Sequence, residues 1–359
     1  MGDGPMTPAL HADAQIAFAL WVGVSVTVAA LLLMAAVLVL RQLAQRRERQ
    51  HQRAAAFWRG VLVDARQAPP PKVPPLTMRD VSGFVDAWNE LHDMPGQADD
   101  PGMRAVAERA GAAPKLERLL ARGSFHDRVM AIIAIGYLRS ASSFERLAAL
   151  IDDASPIISI SAARALMRID PQRAVQQVVP QIVARHDWVD GGVAQLLSKA
   201  EPDIVKDPLR SAALRANDEV ASRLVRFLAD VSPEAAAEVI REVLSEPHDE
   251  HLLSTCLQVM TDPADLDKVR PLLAHPRWHV RMHAASALGR LGQRHDVEIL
   301  LPLLADPQWW VRYRTAQAIA HLLGGDEAML GQLREAQQDR FARDILTQVI
   351  AEQTLEIAA

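Results

Sequence analysis

Arg277-Trp-His-Val-Arg-Met-His-Ala-Ala-Ser-Ala-Leu-Gly-Arg-Leu291 is followed, at an offset of 31 residues, by Gln308-Trp-Trp-Val-Arg-Tyr-Arg-Thr-Ala-Gln-Ala-Ile-Ala-His-Leu322. The two copies align without a gap. Trp278 meets Trp309, Val280 meets Val311, Arg281 meets Arg312, Ala285 meets Ala316, Ala287 meets Ala318 and Leu288 meets Ile319. A fixed period of this size marks a repeat array, in which one unit cannot bury its apolar face alone and stacked neighbours share a core.

Working outward, units starting at Ser124, Ser155, His186, Asn217 and His248 keep the 31-residue spacing, and the next, at Arg277, follows after 29. Position twelve reads Ile135, Leu166, Leu197, Leu228, Val259, Leu288 and Ile319; position nine reads Ile132, Ala163, Ala194, Val225, Cys256, Ala285 and Ala316. Together with position four, apolar in most units, these fall near one face of a helix. A second apolar-periodic stretch follows in each unit, for example 144–151, 174–183, 235–244 and 297–304. Turn formers separate the pair: Asp170 with Pro171, Ser232 with Pro233, Asp262 with Pro263, Gly292, and Gly324 with Gly325. The expectation is an all-α chain with a solenoid of about seven 31-residue helical hairpins over 124–336, an N-terminal helical cap over 78–123 and a C-terminal capping helix over 337–359.

The segment Trp278–Leu291 and its twin resemble a HEAT repeat of the short bacterial type, similar to phycobilisome lyase repeats. The resemblance is strong over 277–336, moderate over 124–166 and weak over 186–276, where the Arg of position five is replaced by Asp190, Ala221 and Leu252. The period is shorter than the roughly 40–47 residues of longer HEAT units. The resemblance implies an ARM-type superhelix that binds proteins along an extended surface; it brings no catalytic residues with it.

The chain has 359 residues, half of them apolar but only 4% aromatic, which suits closely packed helices. Residues 1–15 form a short tail carrying Asp3 and Asp13, and Ile16 to Leu40 then runs without a charge. At about 1.5 Å per residue that run exceeds a hydrocarbon core of roughly 30 Å, so a transmembrane helix over 16–40 is expected. Arg41, Arg46, Arg47, Arg49, Arg53, Arg59 and Arg66 follow it, against Glu48 and Asp64, giving a basic juxtamembrane helix over 41–66. Positive charge on the inner side places the tail outside and the body in the cytoplasm of a bacterial inner membrane. Ala19, Gly23 and Thr27 share one face of the span and are candidate helix contacts. The stretch 67–77, with five prolines, reads as a semi-rigid linker between anchor and body.

Taking the −2 of the tail and the +5 of the flank from the net −5 leaves −8 beyond Arg66, which speaks against a nucleic-acid partner. Trp278, Trp309, Trp310 and Trp188 stand where first helices begin; they form an aromatic ridge for a partner, with Arg314 beside it, or pack between hairpins. Arg281 and Arg312 are read as structural, pairing with carboxylates at the turn between repeats, Asp306 among them. His279 and His283 have the spacing of two zinc ligands but lack the Glu of a metalloprotease helix; no metal and no other cofactor is expected. Cys256 occupies a core position. No phosphate loop, nucleophile elbow or paired catalytic carboxylates are present. Two functions follow as expectations. One is a non-catalytic scaffold that binds protein partners in a membrane complex and sits in a lipid bilayer, narrowing to an accessory subunit of an envelope or exopolysaccharide (glycosyltransferase) machine. The alternative is a lyase or isomerase acting on a tetrapyrrole.

Overall fold

The computed structural model describes residues 9–67, 70, 72–94 and 100–358. All regular structure among them is helical, in two compact units that divide after Leu138.

The first unit opens with α1 (Ala9–Gln67), one unbroken helix of 59 residues. It is followed by α2 (Val81–Asp93), α3 (Pro101–Arg109), α4 (Ala112–Arg122) and α5 (Phe125–Leu138). The N-terminal part of α1 contains a window long and apolar enough to cross a membrane, none of it buried within the chain. The C-terminal part behaves differently. Ala54, Trp58, Leu62 and Ala65 form a helical stripe, and all four are buried against α2 and α3. Trp58 meets Phe84 edge-on at 5.3 Å, and Phe84 stacks on Trp88 at 5.6 Å. Trp88 is buried on α2 and donates its indole N–H to the Ala134 carbonyl of α5 at 3.2 Å. At Gly83 a Cβ would lie 2.7 Å from the Ala55 nitrogen, so only glycine lets α2 cross α1 this closely.

The expected juxtamembrane helix over 41–66 lies within α1, and from His51, whose ring reaches Asp86 at 2.7 Å, α1 packs into the first unit. The proline-rich stretch expected as a linker follows that packed part. Its described part returns along the unit, with Leu76 buried and bonded through its N–H to the Ala110 carbonyl at 2.9 Å. The apolar stripe on α1 is what α2 and α3 cover. Pro69 and Pro71, and most of the N-terminal tail, lie outside the described residues.

The second unit holds α6 (Phe144–Ala148), α7 (Pro156–Ile169), α8 (Pro171–Ala184), α9 (Asp190–Leu197), α10 (Pro202–Arg215), α11 (Asp218–Val231) and α12 (Pro233–Val243). It continues through α13 (Glu250–Val259), α14 (Leu266–Val269), α15 (Trp278–Leu291), α16 (Val297–Leu300), α17 (Trp309–Leu322), α18 (Glu327–Ala336) and α19 (Arg340–Ala358). Helix starts follow local chemistry. Pro171 and Pro233 take the first helical turn, where a missing N–H costs nothing, and Asp170 and Ser232 cap it from the preceding position. The odd-numbered helices from α7 to α19 pack each on the next and make one continuous layer. Their partners α8, α10 and α12 pack on one another in a second layer. The expected C-terminal capping helix is α19; it docks on α17 as a further member of the first layer.

α15 and α17 are the most closely apposed pair of that layer. A Cβ on Gly289 would fall 2.5 Å from the Ala318 Cβ and 2.6 Å from its Cα. Charge links repeats where the helices end. Asp296 is 1% exposed and accepts from Arg270 Nε at 3.0 Å and from the Gln293 N–H at 2.8 Å. Burial alone would raise its pKa, but the Gln293 N–H and the Arg270 guanidinium hold it below the usual carboxylate range. A depressed carboxyl contributes stability that is present above the ordinary Asp range and lost as pH falls through the folded-state value. Asp296→Asn should therefore melt lower than the parent at neutral pH, and the gap should narrow on acidification toward pH ~3. A gap that stays constant in melts across that range rules the assignment out.

Candidate partner-binding surface

Most core side chains of the second unit are fully covered, so its exposed large apolar residues stand out. Ile157, Val189, Trp278, Trp309, Trp310 and Phe341 all lie where a first-layer helix begins; only Leu214 and Ile299 lie elsewhere among the described residues of that unit. On α11 and α13 the corresponding positions carry Glu219 and Glu250, which interrupt the row. The contiguous part is the ridge at the start of α15, α17 and α19.

Trp278, Trp309 and Trp310 are 37%, 40% and 50% exposed. Trp309 and Trp310 meet edge-on at 4.7 Å, and Trp309 stacks on Tyr313 one turn later at 4.9 Å with the rings 10° apart. The Tyr313 hydroxyl is held by Glu352 of α19 at 2.9 Å. Phe341 extends the ridge onto α19, with the Arg312 guanidinium over its ring at 4.9 Å. Sequence reasoning passed over Phe341 because α19 was read only as a cap; its place 31 residues after Trp310 was the available signal.

Trp188 does not belong to this ridge. It is 2% exposed, and its indole N–H donates to Ser159 Oγ at 3.2 Å. The same hydroxyl accepts from Arg185 Nη1 at 2.9 Å and itself bonds the Ile151 carbonyl. A buried polar cluster thus draws in the Trp of this unit, whereas α15 and α17 offer no such partner and leave theirs outside.

The arginines at position five are fastened below the ridge. Arg281 grips Asp306 with two bonds, 2.8 Å from Nε and 3.0 Å from Nη2, and its Nη1 donates to the carbonyls of His275 and Pro276 at 2.8 and 3.1 Å. Arg312 makes the equivalent carbonyl bonds to Asp306 and Pro307 at 2.7 and 3.1 Å but, among the described residues, no carboxylate grip. In the middle of the array the same task falls to other positions. Arg185 bonds the carbonyls of Ile151 and Asp153 at 3.2 and 2.9 Å. Arg223 bonds those of Ile182, Arg185 and Trp188 at 3.0, 3.0 and 2.7 Å, and pairs with Asp190 at 2.6 Å.

From the ridge, the free face of α17 runs through Arg314, Gln317 and His321 at helical spacing. With Gln258 of α13 and His283 and Arg290 of α15, these residues line a groove of about 460 Å³. His283 lies 2.9 Å from the Gln258 amide nitrogen, and His279 lies 3.3 Å from Glu250. Burial, with His279, Arg314 and Arg290 nearby, pushes the His283 imidazole below its usual value. The two histidines are not joined by a third ligand, and no cluster of three or more potential ligands occurs among the described residues. Cys256 is fully covered, and burial pushes its thiol up to about 12, so it is not a thiolate at neutral pH. On α1, Thr27 turns its hydroxyl back to the Gly23 carbonyl at 2.8 Å, and Gly23 has open space beside it. The side chain of Ala19 lies outside the described residues.

HEAT repeats are found by sequence over residues 113–198 and 255–320. No curated protein matches the chain. Among solved structures, human deoxyhypusine hydroxylase in complex with glycerol is 17% identical, with 77% of this chain and 97% of that one covered and a TM-score of 0.29. An engineered protein is 18% identical, with 68% and 92% covered and a TM-score of 0.22.

Proposed function

We propose that this chain is a non-catalytic, membrane-anchored scaffold whose HEAT array binds a protein partner through the aromatic ridge of α15, α17 and α19. The observation that carries the reading is the segregation of exposed Trp278, Trp309, Trp310 and Phe341 onto the starts of three neighbouring helices. Interfaces concentrate their energy in a few Trp, Tyr and Arg residues, and a contiguous exposed apolar patch on an otherwise polar surface marks an interaction site. The anchor is α1, single-pass, with its tail outside and the repeats in the bacterial cytoplasm; its apolar window and the seven arginines from Arg41 to Arg66 support this. An accessory role in an envelope or exopolysaccharide machine is the narrower form of the proposal, and it rests on the look of an anchored HEAT protein alone.

A photocrosslinking residue at position 310 should give a discrete protein adduct in native cells. The same residue at Glu298, exposed on α16 away from the ridge, should not. Trp310→Ser should weaken co-purification of that partner by at least about tenfold, since a hot-spot Trp is worth ~2 kcal/mol or more. A chain that purifies alone in mild detergent, with no adduct at position 310, defeats the proposal.

A further inference from the structure

The groove between α13, α15 and α17 carries two arginines and no carboxylate, on a body whose net charge is −8. Four of its lining residues are His283, Arg290, Arg314 and His321, and none is Asp or Glu. The nearby carboxylates are already engaged. Glu250 is taken by Arg277 at 2.8 Å and by His279, Glu352 by Tyr313, and Asp306 by Arg281. Arg290 donates to the carbonyls of Leu257 and Met260 at 3.1 and 3.3 Å, and Arg314 to the Gln317 amide oxygen at 3.0 Å. Neither meets a carboxylate among the described residues. A guanidinium has five N–H donors, more than these bonds use, and both arginines line the groove together with Gln258 and Gln317. Two guanidinium groups in one groove with no carboxylate in its lining present a positive face, and interfaces match such a face with negative charge.

We infer that this groove receives an acidic, extended segment of the partner protein, anchored at one end by an apolar residue on the Trp309–Trp310 ridge. The inference rests on the scaffold reading and specifies the partner's chemistry. Trp310, Arg314, Gln317 and His321 follow one another along a single face of α17, so a chain leaving the ridge meets the cations next. A nucleic acid fits less well. Its phosphate track needs a long cationic strip, whereas this groove offers two arginines.

The test uses the full chain in detergent and a fluorescent peptide that opens on Phe and continues in Glu and Gly. Matched peptides carry Gln or Lys in place of Glu. The Glu peptide should bind, weaken as salt rises, and exceed the Gln peptide by at least about tenfold; the Lys peptide should not bind. Arg314→Glu with His321→Glu should abolish the preference for Glu and raise binding of the Lys peptide. Arg314→Gln, at an exposed side chain, provides a milder variant whose fold is checked by an unchanged melt. Equal binding of the Glu and Gln peptides overturns the inference. So does displacement by inorganic phosphate at matched concentration, or tighter binding of a single-stranded oligonucleotide. If Trp310→Ser breaks the native complex while the Arg314 and His321 variants leave it intact, the groove proposal falls and the scaffold reading stands. If the peptide binds as expected but position 310 gives no adduct in cells, the scaffold reading falls by itself.

Discussion

Replacing Arg223 by methionine should cost about 3 kcal/mol, a loss expected from removing a charged donor from several part-buried acceptors. The side chain is 17% exposed and holds three carbonyls at the turn before α9, together with Asp190. Methionine keeps the apolar stem but leaves those oxygens facing a place that water reaches poorly. Loss of the far-UV helical signal should come at lower urea concentration than in the parent chain, since the Trp188 carbonyl is one of the three acceptors left without a donor. Arg226→Met supplies the control, because Arg226 is exposed and its hydrogen bond, to Thr255, is at the 3.5 Å limit. Equal unfolding midpoints for the two variants contradict the assigned role.

Gly289→Val should be the other large effect, at about 2–3 kcal/mol, in the range of overpacking a tight core. The obstacle at 2.5–2.6 Å is the Cβ and Cα of Ala318, so no side-chain rotation relieves it and α15 must move off α17. Alanine is informative here. In an unobstructed helix, Gly→Ala gains up to about 1 kcal/mol of helix propensity. Gly331→Ala, on α18 with nothing near its Cβ position, should gain it, whereas Gly289→Ala should lose stability. Calorimetry on the pair decides the matter: the same sign at both positions removes the close-approach argument.

The repeat itself was legible because burial recurs at fixed positions: Val280, Ala285 and Leu288 and their equivalents Val311, Ala316 and Ile319 are all fully covered. The arginine at position five was less so. Its replacement by Asp190 and Ala221 weakens the resemblance there, yet Arg185 and Arg223 bond the same kind of turn carbonyl from elsewhere in the unit. A fixed-position alignment sees residues, whereas the constraint is on acceptors that need a donor, and a long guanidinium can reach them from more than one place. The end of α1 shows a second limit. The stretch 41–66 read as basic because its arginines dominate, whereas Trp58 and Leu62 among them are buried against α2 and α3. Trp188 shows a third: four tryptophans at helix starts look alike in sequence, and Ser159, 29 residues earlier, decides that one of them is buried.

Because α1 runs without interruption from its apolar window into the packed stripe of Ala54, Trp58, Leu62 and Ala65, the first unit has a heading. A helix turns about 100° per residue, so the neck between Leu40 and His51 works as an indexing shaft whose length and angle change together. Two added residues would turn the unit by about 200° while moving it only ~3 Å, and seven would move it ~10 Å yet bring it back to within about 20° of its first bearing. A change in the length of this neck therefore alters the bearing of the unit more than its height, and only whole turns leave the bearing as it was.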